Sequence, residues 1–345
     1  MRVTTGLSGN YQTCVGDESS RAELLGYDYI CVPETTGNPF VRLAIAADHT
    51  TTIRLQSSIA LAFTRSPMDI AYTAWDLQNF SKGRFVLGLG SQVKGHIVRR
   101  FSLSWSSPAR RMHEYVVALR TIWHSWNSGA PLNFKGDFYQ FSLMTPFFNP
   151  GPSTYPVPKI HIAAVGPKML QVAGEVCDGV ILHPFSTFKY IQEIALPNLR
   201  IGAEKSKRSL RDFEISSGGM VVTGPSNKDI ALAREQARTR VAFYASTRNY
   251  ASIMELHGWG DIAQKLYRLS AENNWANMAK LITDEILDAF VVSGTYDTLP
   301  AKVFQRFGSY ATTVDIPMAP QPSTHDAQLH RALVSISSPH NRDCA

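Results

Sequence analysis

The sequence predicts a (β/α)8 TIM barrel, and three observations predict it. Eight short segments have strand character, helical patterns lie between them, and most of the strands are near-continuous apolar runs rather than alternations. Strands covered on both faces read that way, as they do in parallel sheets. A doubly wound sheet would instead predict about six strands, with its ligand turn after the first.

The first three strands are Arg2–Gly6, Tyr27–Val32 and Ile53–Ala62. Pro67–Phe80 follows as a helix: proline suits a first-turn position, and Ile70, Ala71, Ala74 and Leu77 share one stripe. The fourth strand, Arg84–Gly88, runs into Gly88-Leu89-Gly90-Ser91-Gln92, which looks like a dinucleotide loop. It follows the fourth strand, however, and no acid ~20 residues on closes a second strand as a ribose partner should. The glycines therefore mark the C-terminal end of a barrel strand, where this fold builds active sites.

Ser107–Ser128 is the strongest helical pattern. Met112, Tyr115, Val116, Leu119, Ile122, Trp123 and Trp126 recur at three- and four-residue spacing after a Ser-Pro start. Strands Lys159–Ala164, Gly179–His183, Phe213–Val222 and Leu287–Ser293 alternate with helices Pro167–Val176, Phe188–Lys205, Lys228–Tyr244 and Leu299–Phe307. Two gaps are too long for plain connections, so insertions are expected after strands 4 and 7. Asn127–Pro158 is rich in Phe, Pro and Gly and reads as an irregular excursion or hairpin; Lys228–Glu285 holds at least two helices, separated near His257-Gly258-Trp259-Gly260. One domain over residues 1–315 is expected, with a loosely ordered tail at 316–345 that lacks sustained periodicity.

Composition narrows the function. With 44% hydrophobic and 18% charged residues the chain is ordinary globular protein, and no apolar run approaches the ~18 residues a membrane span needs. The N-terminus has no apolar signal core, and Cys14, Cys31, Cys177 and Cys344 lie far apart with no metal-ligand spacing. Both point to a reducing cytoplasm. A net charge of +6 without a basic run suits an anionic small ligand better than nucleic acid.

Several strand ends carry candidate chemistry. Glu34, after the second strand, would face the barrel mouth, where desolvation raises a carboxyl pKa and fits it for proton transfer. Ala164-Val165-Gly166-Pro167-Lys168 is a small-residue turn feeding a helix, so unpaired backbone N–H groups at a positive dipole end make a phosphate site, with Lys168 adding charge. An ordinary βα turn would look the same. His183 ends the sixth strand and His96 follows the glycines; either can meet a ligand or satisfy a backbone group. His113 and Glu114 sit on a helix flank and look structural. Metal hydrolase and acyl-transfer patterns are missing.

Taken together, "LLGYDYICVPET", "RLQSSIALAFTRSPMDIAYTAWDLQNFSKGRFVLGLGSQ", "RRMHEYVVALRTIW", "KIHIAAVGPKMLQVAGEVCDGVILHPF" and "LDAFVVSGT" resemble the luciferase-like monooxygenase superfamily. Within it they are most similar to the coenzyme F-420 (deazaflavin)-dependent oxidoreductases. The resemblance runs to about Tyr310. It implies that Ala164 to Lys168 hold a cofactor phosphate and that Gly90, Ser91 and Gln92 flank the ring. It further implies a non-proline cis bond at Ser58–Ile59 behind that ring, and Arg111 near the phosphate or substrate. Many relatives carry an acid followed by histidine after the second strand; here the run is Glu34-Thr35-Thr36.

The implied activity is hydride transfer between reduced coenzyme F-420 and a small organic substrate, with Glu34 and His96 handling the proton. Two alternatives stay open. One is an FMN-dependent monooxygenase supplied by a separate reductase; the other is a catalytically silent flavin-binding barrel. The resemblance also implies a homodimer, with neither membrane nor nucleic acid as partner.

Overall fold

The computed structural model describes residues 1–7, 15–319 and 321–337. Within them eight parallel strands form a barrel: β1 (Arg2–Gly6), β2 (Tyr29–Val32), β3 (Arg54–Ser57), β4 (Phe85–Gly90), β5 (Lys159–Ala164), β6 (Gly179–Leu182), β7 (Glu214–Ile215) and β8 (Thr313–Asp315). Each lies beside the next in chain order. β8 pairs with β1 from Arg2↔Thr313 to Thr4↔Asp315, and a single Ser216↔Thr313 bridge draws β7 against β8 to close the ring.

Helices α1 (Val15–Leu24), α2 (Pro39–Asp48), α3 (Pro67–Phe80), α4 (Pro108–Ser128), α5 (Pro167–Val176), α6 (Leu196–Lys205), α7 (Leu299–Phe307) and α8 (Asp326–Ser337) surround the strands. Strand residues that point outward are sealed beneath them: Val3, Ile30, Leu55, Leu87, Ile160 and Val180 are at most 1% exposed. The predicted stripe of α4 is buried as expected, and Trp123 Nε1 donates to the Ala71 carbonyl at 3.2 Å, tying α4 to α3.

Both insertions fall where the sequence puts them. After β4 the chain makes a hairpin, Phe134–Lys135 against Gln140–Phe141. Its turn is held by Glu114 of α4, whose carboxylate accepts from the amides of Asp137, Phe138 and Tyr139. After β7 the insertion includes helices Asn227–Ala245, Ala251–Leu256 and Gly260–Ala271.

Four expectations are corrected. Leu287–Ser293 is no barrel strand: Asp284–Phe290 is helical, and Val291–Thr295 pairs with Met220–Gly224 in a separate two-stranded sheet. The predicted strand Phe213–Val222 is two strands, parted at Gly218 and Gly219, whose φ values of 61° and 68° suit glycine. The eighth barrel strand is Thr313–Asp315, too short and too polar for an apolar-run signal.

The tail is the fourth. Asp326–Ser337 forms α8 and buries Leu329, Ala332, Leu333 and Ile336; Arg21 of α1 grips Asp326 with both prongs at 2.8 and 3.0 Å. Residues 338–345, Cys14 and Cys344 lie outside the described residues; Cys31 and Cys177 are free thiols. Among the described residues no helix is long and apolar enough to cross a membrane, and no cluster of His, Cys, Asp or Glu could hold a metal ion.

Candidate active site

The barrel interior is polar, and its two ends differ. Side chains alternate across a strand, so register decides which residues share the inner face. Arg2, Thr4 and Gly6 of β1 pair with Tyr29 and Cys31 of β2 and with Thr313 and Asp315 of β8. At the N-terminal end of the strands Glu214 gathers cations: Arg2 at 2.9 Å, Lys159 at 2.7 Å and Arg54 at 3.8 Å, with the Tyr29 hydroxyl donating at 2.9 Å. Burial pushes the Glu214 carboxyl up, but His161, Lys159 and Arg2 outweigh it and hold it at about 2. Above this plug His161 is buried, its Nδ1 bonded to Gln56 Nε2 at 2.9 Å, and burial pushes its pKa down to about 4.

At the C-terminal end solvent enters. Gly6 and Asp315 are exposed, and Cys31, Ala163 and Ile181 are half-buried, although their outward-facing neighbours are sealed. The inner faces of these strands are therefore open to solvent at this end while their outer faces are not. The predicted turn at its wall is present: the Ser58–Ile59 peptide bond is cis. A Cβ at Gly90 would come within 2.5 Å of Ile59 Cδ1, so the end of β4 lies close against the Ile59 side chain. Ser91 and half-buried Gln92 follow, Gln92 with a left-handed φ of 58° and its side-chain oxygen accepting from the Val93 amide at 2.9 Å.

Beside the mouth, α5 begins at Gly166-Pro167 with no side-chain cap. Gly166 and Lys168 are exposed, and a Cβ at Gly166 would meet nothing within 4 Å. Ala164 is buried at the strand end, and the Val165 carbonyl accepts from the Tyr190 hydroxyl. An uncapped helix start above open space fits an anionic phosphate.

Glu34, His96 and His183 have different surroundings. Arg65 clamps both Glu34 oxygens at 2.8 Å, and Oε2 also accepts from the Leu61 amide at 2.8 Å. Three converging donors suit a carboxylate held as an acceptor, tying the loop after β2 to the turn after β3. His96 is exposed on the short helix Lys94–Arg99. His183 anchors the second insertion: its ring stacks on Tyr250 at 4.5 Å and meets Tyr244 edge-on at 4.7 Å, while Nδ1 accepts from the Phe185 amide. Burial pushes His183 down to about 4, so it is neutral. Arg111 lies over Phe63 at 4.5 Å and Tyr139 at 5.5 Å and donates to the Tyr139 hydroxyl at 2.8 Å.

Sequence reasoning missed Asp315 and Cys31. Val314 and Ile316, apolar on either side of Asp315, were a three-residue alternation that could have marked the last strand.

Comparison with known proteins gives consistent results. The profile described as luciferase-like monooxygenase matches residues 15–313. An uncharacterized protein of Mycobacterium tuberculosis is 44% identical over 290 residues, covering 84% of this chain and 85% of that one. A 5,10-methylenetetrahydromethanopterin reductase of Archaeoglobus fulgidus is 31% identical over 290 residues, 82% of each chain. Among solved structures, the coenzyme F420-dependent tetrahydromethanopterin reductase of Methanopyrus kandleri superposes with a TM-score of 0.75 at 20% identity, over 97% of this chain and 98% of that one. At that identity the structural likeness shows the fold alone.

Proposed function

The chain belongs to the luciferase-like monooxygenase family, and from that premise we propose that it is a deazaflavin-dependent oxidoreductase acting on a small organic substrate. The observation that carries this reading is the open C-terminal mouth lying beside the uncapped start of α5. The reductase of Archaeoglobus fulgidus, similar over most of both chains, supports a reductive rather than an oxygenating role.

Bound there, coenzyme F-420 would supply hydride transfer; the chain's part is position and charge. The amides from Gly166 and the exposed Lys168 would hold its phosphate. Gly90 and the Ser58–Ile59 turn would form the surface behind the ring, with Ser91 and Gln92 at its edge. The Glu34–Arg65 pair would keep that turn in place, and Arg111, fixed between aromatic faces, would keep positive charge at the rim.

The test is titration of the purified chain with coenzyme F-420 and with FMN, followed by absorption. Tighter binding of the deazaflavin is expected, and Gly166→Val should weaken it at least tenfold by filling the space above the helix start. Preference for FMN would favour the monooxygenase reading that the family's name suggests, and oxidised FMN absorbs at the longer wavelength. Gly166→Val affinity within twofold of the unaltered chain would show the phosphate to lie elsewhere.

A further inference from the structure

We propose that Asp315 is the proton-carrying group of the pocket floor, a role that rests on the oxidoreductase reading above. Register puts Asp315 on the inner face of β8 opposite Thr4, whose hydroxyl donates to its Oδ1 at 3.3 Å. Among the described residues on the inner faces of the barrel strands there are two acids. Glu214 closes the N-terminal end among its cations, and Asp315 stands at the open end.

Its surroundings differ from those of Glu34 in the respect that matters. Thr4 hydrogen-bonds Asp315, and the Cys31 thiol, the Tyr27 phenol and the Arg240 guanidinium of helix Asn227–Ala245 interact with its charge. Of these only Arg240 carries positive charge, and it is an exposed side chain. Among the described residues no guanidinium is hydrogen-bonded to Asp315 as Arg65 is to Glu34. The residue is reached by solvent from the mouth, yet protein walls its carboxyl closely. A ligand seated on the floor would shut out that solvent as well. Burial pushes the carboxyl up to about 6, against the pull of Thr4 and Arg240. A carboxyl in that range gives up a proton readily near neutrality and regains one quickly.

The step balances. A C=O or C=N group on the floor gains at carbon the hydride that the reduced deazaflavin gives up. Its heteroatom gains the Asp315 proton, and the carboxylate left behind takes a proton from water at the open mouth.

Two measurements on Asp315→Asn, which keeps shape and hydrogen bonding, test this. The first needs no cofactor: thermal midpoints of both chains between pH 4 and 8. A carboxyl that titrates higher when folded stabilises the folded chain at low pH, and this is lost as pH rises from about 4 through about 6. The unaltered chain should therefore lose ground to the Asn variant across that window, and the gap should then level off. The second is turnover with saturating reduced coenzyme F-420, expected to fall by ~10²–10⁴-fold while cofactor affinity stays within threefold. A gap that does not change with pH, or an Asn variant that keeps a third of the turnover, overturns the proposal. If the unaltered chain binds neither F-420 nor FMN, the oxidoreductase reading falls and the hydride step with it, whatever the pH gap shows.

Discussion

Glu34 shows how far a residue can be judged from its place in a sequence. Its position after β2 is that of an acid at the mouth, but what it does there depends on Arg65, 31 residues away. A two-pronged ion pair with side chains only 11% and 17% exposed is a structural clamp. Glu34→Gln should therefore cost about 1–3 kcal/mol of stability, read from the denaturant midpoint at unchanged slope, because Arg65 is left without its counter-charge. Turnover per folded molecule should stay within about threefold. A fall of a hundredfold would return Glu34 to the proton chemistry that the sequence suggests for it.

At the scale of elements, legibility followed the chemistry of burial. A strand with a sealed outer face and an apolar or glycine-rich inner face, such as β4, is a continuous apolar run and is plain in the sequence. β7 and β8 point Glu214, Thr313 and Asp315 inward, so their signal shrinks to one or two apolar residues. Helices α1 and α2 went unread for a different reason. In α2 the cap was written out, with Asn38 accepting from the Phe40 amide ahead of Pro39, but its apolar positions are too many to form a narrow stripe. α8 hid behind a Pro- and Ser-rich approach. Deleting everything from Asp326 onward would expose the surfaces that Leu329, Leu333 and Ile336 cover, a loss on the order of 5 kcal/mol. A truncated chain that melts within 2 °C of the full one would show that α8 contributes little.

For the molecule as a whole, pH is the lever. His161 and His183 are both held neutral, near 4 against an ordinary 6.5, so the unfolded chain takes up their protons first. Their contribution is complete above about pH 6.5 and is lost as pH falls toward 4, at about 1.4 kcal/mol per pH unit for each. Below about 6 Asp315 works in the opposite sense, so the net slope there is that of one group rather than two. Replacing His161 with Gln, which can still bond Gln56, should flatten the limb between pH 6.5 and 6 by about half. An unchanged slope would mean that His161 is already protonated in the folded chain. Glu214 adds its own loss lower still, from about 4.5 toward 2.

The seam between β7 and β8 reaches beyond stability. β8 is three residues long, is separated from β7 by the second insertion, and pairs with the β1 strand that left the ribosome some three hundred residues earlier. Contacts of such long sequence separation form late, because the intervening chain must be ordered before they are rewarded. The floor acid travels on that last strand. During synthesis, seven strands, the uncapped start of α5 and the Ser58–Ile59 turn can exist before Asp315 has emerged. A partly made chain then has the other walls of the mouth without this acid, so completion of the barrel and completion of the pocket are one event.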